Sequence, residues 1–116
     1  MRIEAAVTYE KGAPFRFEEV GLDAPKFGEI LVRIVACGIC HTDEAVQNQF
    51  IPTPLPAVLG HEGAGIVEEV GPGVYDFEVG DRVGISFGFC NSCVNCRKAR
   101  PFMCKSLNKI NFGGIQ

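Results

Sequence analysis

The residues of this sequence best able to do chemistry are six cysteines and two histidines, and their spacing sorts most of them into two sets. Cys90, Cys93, Cys96 and Cys104 lie within fifteen residues. Two consecutive Cys-x-x-Cys steps and a fourth sulfur shortly after can converge on one point at tetrahedral distance, as a closed structural zinc site requires. Disulfides fit less well, because a Cys-x-x-Cys bridge closes a tight, strained loop. A metal with four protein ligands has no open position, so this one is expected to hold shape and do no chemistry. Arg97, Lys98, Arg100, Lys105 and Lys109 lie in or just beyond the loop. They would favour thiolates, and they equally suit a solvated face.

The second set is Cys40, His61 and Glu62. Cys40 ends a predicted strand, and Gly60-His61-Glu62-Gly63 opens another, so two strand ends can bring a thiolate, an imidazole and a carboxylate together. Such an incomplete donor set is the mark of a catalytic zinc, which keeps a position for water or substrate. The alternative is that Cys40 is an inert buried thiol and His61 an ordinary surface or core imidazole. Other motifs fail. Gly65 stands where a metalloprotease helix would need its second histidine, and no βαβ context makes Cys37-Gly38-Ile39-Cys40 a redox dithiol. In Gly63-Ala64-Gly65-Ile66-Val67-Glu68, Glu68 replaces the third glycine of a dinucleotide fingerprint and a strand continues where a helix is needed.

The elements that must position these residues are mostly strands. Ile3, Ala5, Val7 and Tyr9 alternate with polar residues, a turn follows at Lys11-Gly12-Ala13-Pro14, and Phe15 to Glu18 alternate again, which predicts a hairpin. Glu29 to Cys37 is apolar and β-branched apart from Arg33, the composition of a more buried strand. Cap formers and acids from Thr42 predict a helix of about two turns. Three prolines at 52, 54 and 56 impose an extended connection, Ala64 to Val70 forms another strand, and Gly80-Asp81 is expected as a hairpin corner between Val79 and Val83. Short strands, glycine and proline corners and a single helix predict a mainly β domain, a barrel or a sandwich.

A chain of 116 residues, 47% hydrophobic and 22% charged, has the size and composition of one globular domain. A net charge of -3 disfavours a nucleic-acid surface. No apolar run reaches membrane-spanning length, and the acidic, alternating start at Met1-Arg2-Ile3-Glu4 is unlike a secretory leader, so a cytoplasmic location without membrane contact is expected.

Taken together, Cys37-Gly38-Ile39-Cys40-His41-Thr42-Asp43, Gly60-His61-Glu62-Gly63-Ala64-Gly65, Val79-Gly80-Asp81-Arg82-Val83 and the cysteine loop resemble the N-terminal part of the zinc-dependent medium-chain alcohol dehydrogenases, most closely the aryl (benzyl) alcohol branch. The resemblance implies a GroES-like β-barrel with a short helix and a zinc-binding loop, residues 1–116 forming the N-terminal part of its catalytic domain and 90–104 the structural zinc lobe. It makes Cys40 and His61 ligands of a catalytic zinc and Glu62 a carboxylate beside it. Thr42 would relay the proton, Asp43 would orient a ligand, and His41 would lie by the cofactor pyrophosphate. Ile51 and Ser86 would line the substrate pocket. The implied activity is oxidation of a primary, possibly aromatic, alcohol to the aldehyde with NAD in a homo-oligomeric enzyme. A third protein ligand and the Rossmann domain would come from further chain, so a fragment, inactive alone, is expected. The rival is a free-standing zinc-ribbon-like module for a protein or nucleic-acid partner.

Three positions depart from the family. Asn91 and Ala99 stand at positions where glycine is usual in the lobe; Asn tolerates positive φ, whereas Ala there costs about 1 kcal/mol or more. Ala45 replaces a histidine that in some members passes the proton onward, which predicts another route such as water.

Overall fold

The computed structural model describes residues 1–113. Strand β1 (Arg2–Thr8) pairs antiparallel with β2 (Arg16–Gly21) in the expected hairpin, in a register that sets Ala5 against Glu18 and Val7 against Arg16. The period of two holds through Val7, with Ala5 and Val7 buried and Glu4 exposed, but it breaks at the strand's end, where Thr8 is fully buried and Tyr9 exposed. Burial of Val7, which is 0% exposed, contributes about 2 kcal/mol. β4 (Ala57–Val58) joins the other side of β1 and completes a three-stranded sheet.

The second sheet has the order β3 (Ile30–Gly38), β5 (Glu62–Val70), β6 (Arg82–Gly84), all antiparallel. One expectation fails here, and another is met only in its coarser form. β3 is less buried than its composition implied, with Ile34 47% and Val35 60% exposed, because it is an edge strand. No ladder joins the two sheets among the described residues, so a closed barrel is not detected; the molecule is mainly strand with a few short helices. Gly80-Asp81 also differs from a corner between Val79 and Val83. Gly80 N–H donates to Val67 O and Val67 N–H to Asp81 O, so this pair already begins the run into β6 alongside β5.

Helix α1 (His41–Gln47) starts where the acids predict. Asp43 and Glu44 occupy its first turn, where negative charge meets the positive end of the helix dipole. Ala45 and Val46 form its buried face. Gln47 ties the helix to the β1–β2 turn, accepting from Gly12 N–H (2.9 Å) and donating through Nε2 to Ala13 O (2.7 Å). Beyond β6 the cysteine loop carries the one-turn helix α2 (Val94–Arg97), a 3-10 turn at Pro101–Met103 and α3 (Leu107–Asn111), none of them anticipated.

Candidate metal centres and an adjoining cavity

The register of β3 on β5 sets Gly38 opposite Glu62 and Cys37 opposite Gly63, so the end of one strand meets the start of the other. Cys40, two residues past β3, and His61, just before β5, are thereby brought together. Their donor atoms and a Glu62 carboxylate oxygen lie within 4.8 Å of one another. Glycine makes this possible. A Cβ on Gly38 would overlap the Glu62 carboxylate, and one on Gly60, whose φ is 122°, would meet Cys37 Sγ at 3.2 Å.

Asp43 bridges Cys40 and His61. Its Oδ2 accepts from Cys40 N–H at 3.0 Å, and its Oδ1 lies 3.6 Å from His61 Nδ1, leaving Nε2 as the free imidazole donor. The 3.6 Å approach is an ion-pair contact and longer than a hydrogen bond; closed to hydrogen-bond distance, a carboxylate in this position would fix the ring's tautomer and orientation. Thr42 Oγ1 is 3.4 Å from Cys40 Sγ. His41 is separate: its side chain is 87% exposed and its Nδ1 sits 3.2 Å from Glu44 Oε2.

The second centre is the lobe. The sulfurs of Cys90, Cys93, Cys96 and Cys104 all lie within 4.8 Å of one another, with Cys93–Cys96 at 3.5 Å and Cys90–Cys96 at 3.9 Å. Tetrahedral Zn–S bonds of about 2.3 Å place sulfurs about 3.8 Å apart, so the donor set fits zinc. All six cysteines are free, and these distances are far beyond a disulfide bond. Backbone N–H groups point at the sulfurs: Cys93 N–H to Cys90 Sγ, and Cys90 and Ser106 N–H to Cys104 Sγ, each at 3.4 Å. Asn91 and Ala99 both have φ of 56°, so the lobe keeps the left-handed backbone that glycine would favour. Ala99 accepts the strain at the end of α2, where its N–H bonds to Cys96 O.

The thiols differ in acidity. The Ser92 hydroxyl and N–H groups of Ser92 and Cys93 pull Cys90 down to about 5, and the Cys96 backbone lowers Cys93, whereas burial pushes Cys96 up to about 12. Hydrogen-bond donors, more than the surrounding basic side chains, thus favour the thiolates. Cys90 is already ionised at neutral pH, and Cys96 must give up a proton to ligate. Zinc binding near neutral pH should therefore release fewer than four protons from the four cysteines, as calorimetry in buffers of differing ionisation enthalpy would measure. Affinity should rise with pH across the neutral range as the protonated thiols give up their protons, and the dependence should steepen further below about 5, where Cys90 also protonates. Release of four protons would contradict this picture.

A cavity of about 640 Å³ adjoins the first centre. Thr42, Asp43 and His61 form one side; Ser86, Phe87, Phe102, Leu107, Ile110 and Phe112 supply much of the rest. Ser86 is where the sequence placed it, whereas Ile51 is not among the lining residues. The lobe-side wall was missed, although the apolar residues Phe87, Phe102, Leu107, Ile110 and Phe112 around the cysteine loop were its available signal. An apolar groove of about 730 Å³ between Leu22, Ile30, Phe77 and Val83 contains no cysteine or histidine.

Comparison with known proteins agrees with this geometry. Residues 26–116 match the family described as Alcohol dehydrogenase GroES-like domain. The chain is 46% identical over 113 residues to geraniol dehydrogenase of Castellaniella defragrans, covering 97% of this chain and 30% of that protein. It is 45% identical to alcohol dehydrogenase class-3 of Cereibacter sphaeroides, over 99% of this chain and 31% of the relative. The crystal structure of benzyl alcohol dehydrogenase from Acinetobacter calcoaceticus superposes with a TM-score of 0.96 at 46% identity, over all of this chain and 32% of that one. The chain thus spans about a third of the length of the relatives it matches.

Proposed function

Because the chain belongs to the alcohol dehydrogenase GroES-like domain family, we propose that it serves as the metal-binding part of the catalytic domain in a longer enzyme that oxidises a primary, apolar alcohol, aromatic ones included, to the aldehyde with NAD. The carrying observation is the convergence of Cys40, His61 and Glu62 beside a largely apolar cavity. These three residues would hold the catalytic zinc, and Cys90, Cys93, Cys96 and Cys104 the structural one. When bound, the catalytic zinc supplies Lewis acidity to the alcohol oxygen, and NAD supplies a hydride acceptor.

The chain's own residues do the rest. Cys40 and the carboxylate of Glu62 provide anionic donors, while Asp43 keeps His61 turned to present Nε2. Thr42, next to Cys40, accepts the proton leaving the alcohol oxygen as it donates its own hydroxyl proton onward. Ala45 is buried in α1 and has no side chain to pass it on, so water at the cavity mouth receives it. His41 projects into solvent, where a cofactor phosphate would have to displace the Glu44 carboxylate from Nδ1 or bind through the other ring nitrogen. The apolar walls exclude water from the reacting carbon.

The two sheets are read as parts of a GroES-like barrel, a reading supported by the apolar Ile34 and Val35 left exposed at the edge of β3. Homo-oligomerisation in the cytoplasm is part of the same proposal. A free-standing zinc-ribbon module would account for the lobe and leave the Cys40 cluster without a purpose. The test is NADH formation from benzyl alcohol, comparing residues 1–116 alone with a protein in which they continue into a nicotinamide-binding domain. Hydride transfer needs the nicotinamide within about 3 to 3.5 Å of the alcohol carbon, so only the longer protein should turn over. Turnover by the shorter chain, or by neither, would contradict the proposal.

A further inference from the structure

Helix α3 ends on Asn111, whose side chain behaves like one rung of a strand ladder. Gly88 N–H donates to Asn111 Oδ1 at 2.7 Å, and Asn111 Nδ2 donates to Gly88 O at 2.9 Å. The same Nδ2 donates to Leu107 O at 2.8 Å, anchoring the amide to its own helix. The contact needs glycine, since a Cβ on residue 88 would stand 2.7 Å from Ile110 Cγ2. Ser86 and Phe87 line the cavity on one side of this pair; Leu107, Ile110, Asn111 itself and Phe112 line it on the other. Both sides hang from the lobe, Gly88 two residues before Cys90 and Leu107 three residues after Cys104.

We propose that Asn111 is a positioning residue for substrate selection: by pinning Gly88 it fixes the Phe87 wall against the Ile110 wall, at a spacing that admits a ring-sized apolar alcohol. The inference rests on the reading of the cavity as an alcohol site. The reason is geometric. Among the described residues, the loop between β6 and Cys90 has no backbone partner other than Gly63 O, which accepts from Ile85 N–H, and the Asn111 amide holds its middle to α3. Two hydrogen bonds to one residue remove the rotational freedom that a single bond would leave. Gain or loss of that clamp should change a bulky ligand's fit and leave a small one's nearly untouched.

The experiment uses the zinc-loaded chain, with benzyl alcohol and ethanol as probes read by amide chemical shifts, alongside hydrogen exchange at Gly88. In the unmodified chain, benzyl alcohol should shift the amides of Phe87 and Ile110. In Asn111→Ala, Gly88 exchange should accelerate and benzyl alcohol affinity fall, each about tenfold, with ethanol binding and lobe zinc content unchanged. Asn111→Asp keeps the acceptor and loses both donors, so it should fall between the two. Unchanged Gly88 exchange in Asn111→Ala, equal loss of both alcohols, or no shift at Phe87 and Ile110 in the unmodified chain would overturn the proposal. Clamp-dependent selectivity that survives Cys40→Ser would still support it, even though the metal-centred reading of the cavity would then fail.

Discussion

Replacing Cys93 and Cys96 together by Ser should cost the chain its tightly held zinc and, with it, the folded structure from residue 90 to α3. Among residues 85–113 only Cys104 is buried, so this quarter of the described structure has almost no apolar core. Its helices are one turn long, far too short to persist by propensity. Ala99 adds strain of about 1 kcal/mol. Sulfur–metal bonds must offset all of this, and structural zinc sites of four thiolates can supply about 10 kcal/mol or more. Metal analysis after dialysis should give one tight equivalent for the unmodified chain and none for the variant, with the amide shifts of residues 90–111 collapsing while β1 and β2 keep theirs. A tight site that survives the double replacement would refute the lobe assignment.

How far the sequence foretold this varies with the physics of each part. The lobe was legible because four thiolates at fixed spacing have few other uses, whereas the positive φ at 91 and 99 was legible only through the resemblance, since Asn and Ala stand where the family usually has glycine. The Cys40 and His61 pairing was legible because both flank strands, and register then aligned Gly38 with Glu62. β1 followed from alternation. Elements of one turn escaped, since Val94–Arg97 and Leu107–Asn111 are too short to show a helical period. The exposure of β3 escaped for a different reason: composition reports what a strand can bury, whereas sheet order decides what covers it. The cavity wall and the Asn111 clamp depend on contacts across 23 residues, which no local pattern encodes.

Cys40→Ser is the other substitution of large expected effect. A serine hydroxyl is not ionised near neutral pH, so the variant removes the anionic donor at the end of β3 and leaves His61 and Glu62 as an incomplete set. Loss of several kcal/mol of charge stabilisation at the alcohol oxygen corresponds to about a thousandfold or more in rate. The lobe should not notice, because its four sulfurs form a separate cluster.

The measurement is kcat/KM for benzyl alcohol, with NADH as the readout, in the longer protein with and without the Cys40→Ser substitution, each with lobe zinc verified by metal analysis. A fall of about a thousandfold or more at unchanged lobe zinc is the predicted result. Turnover within a few-fold of the unmodified enzyme would contradict the catalytic-metal assignment on which the account rests.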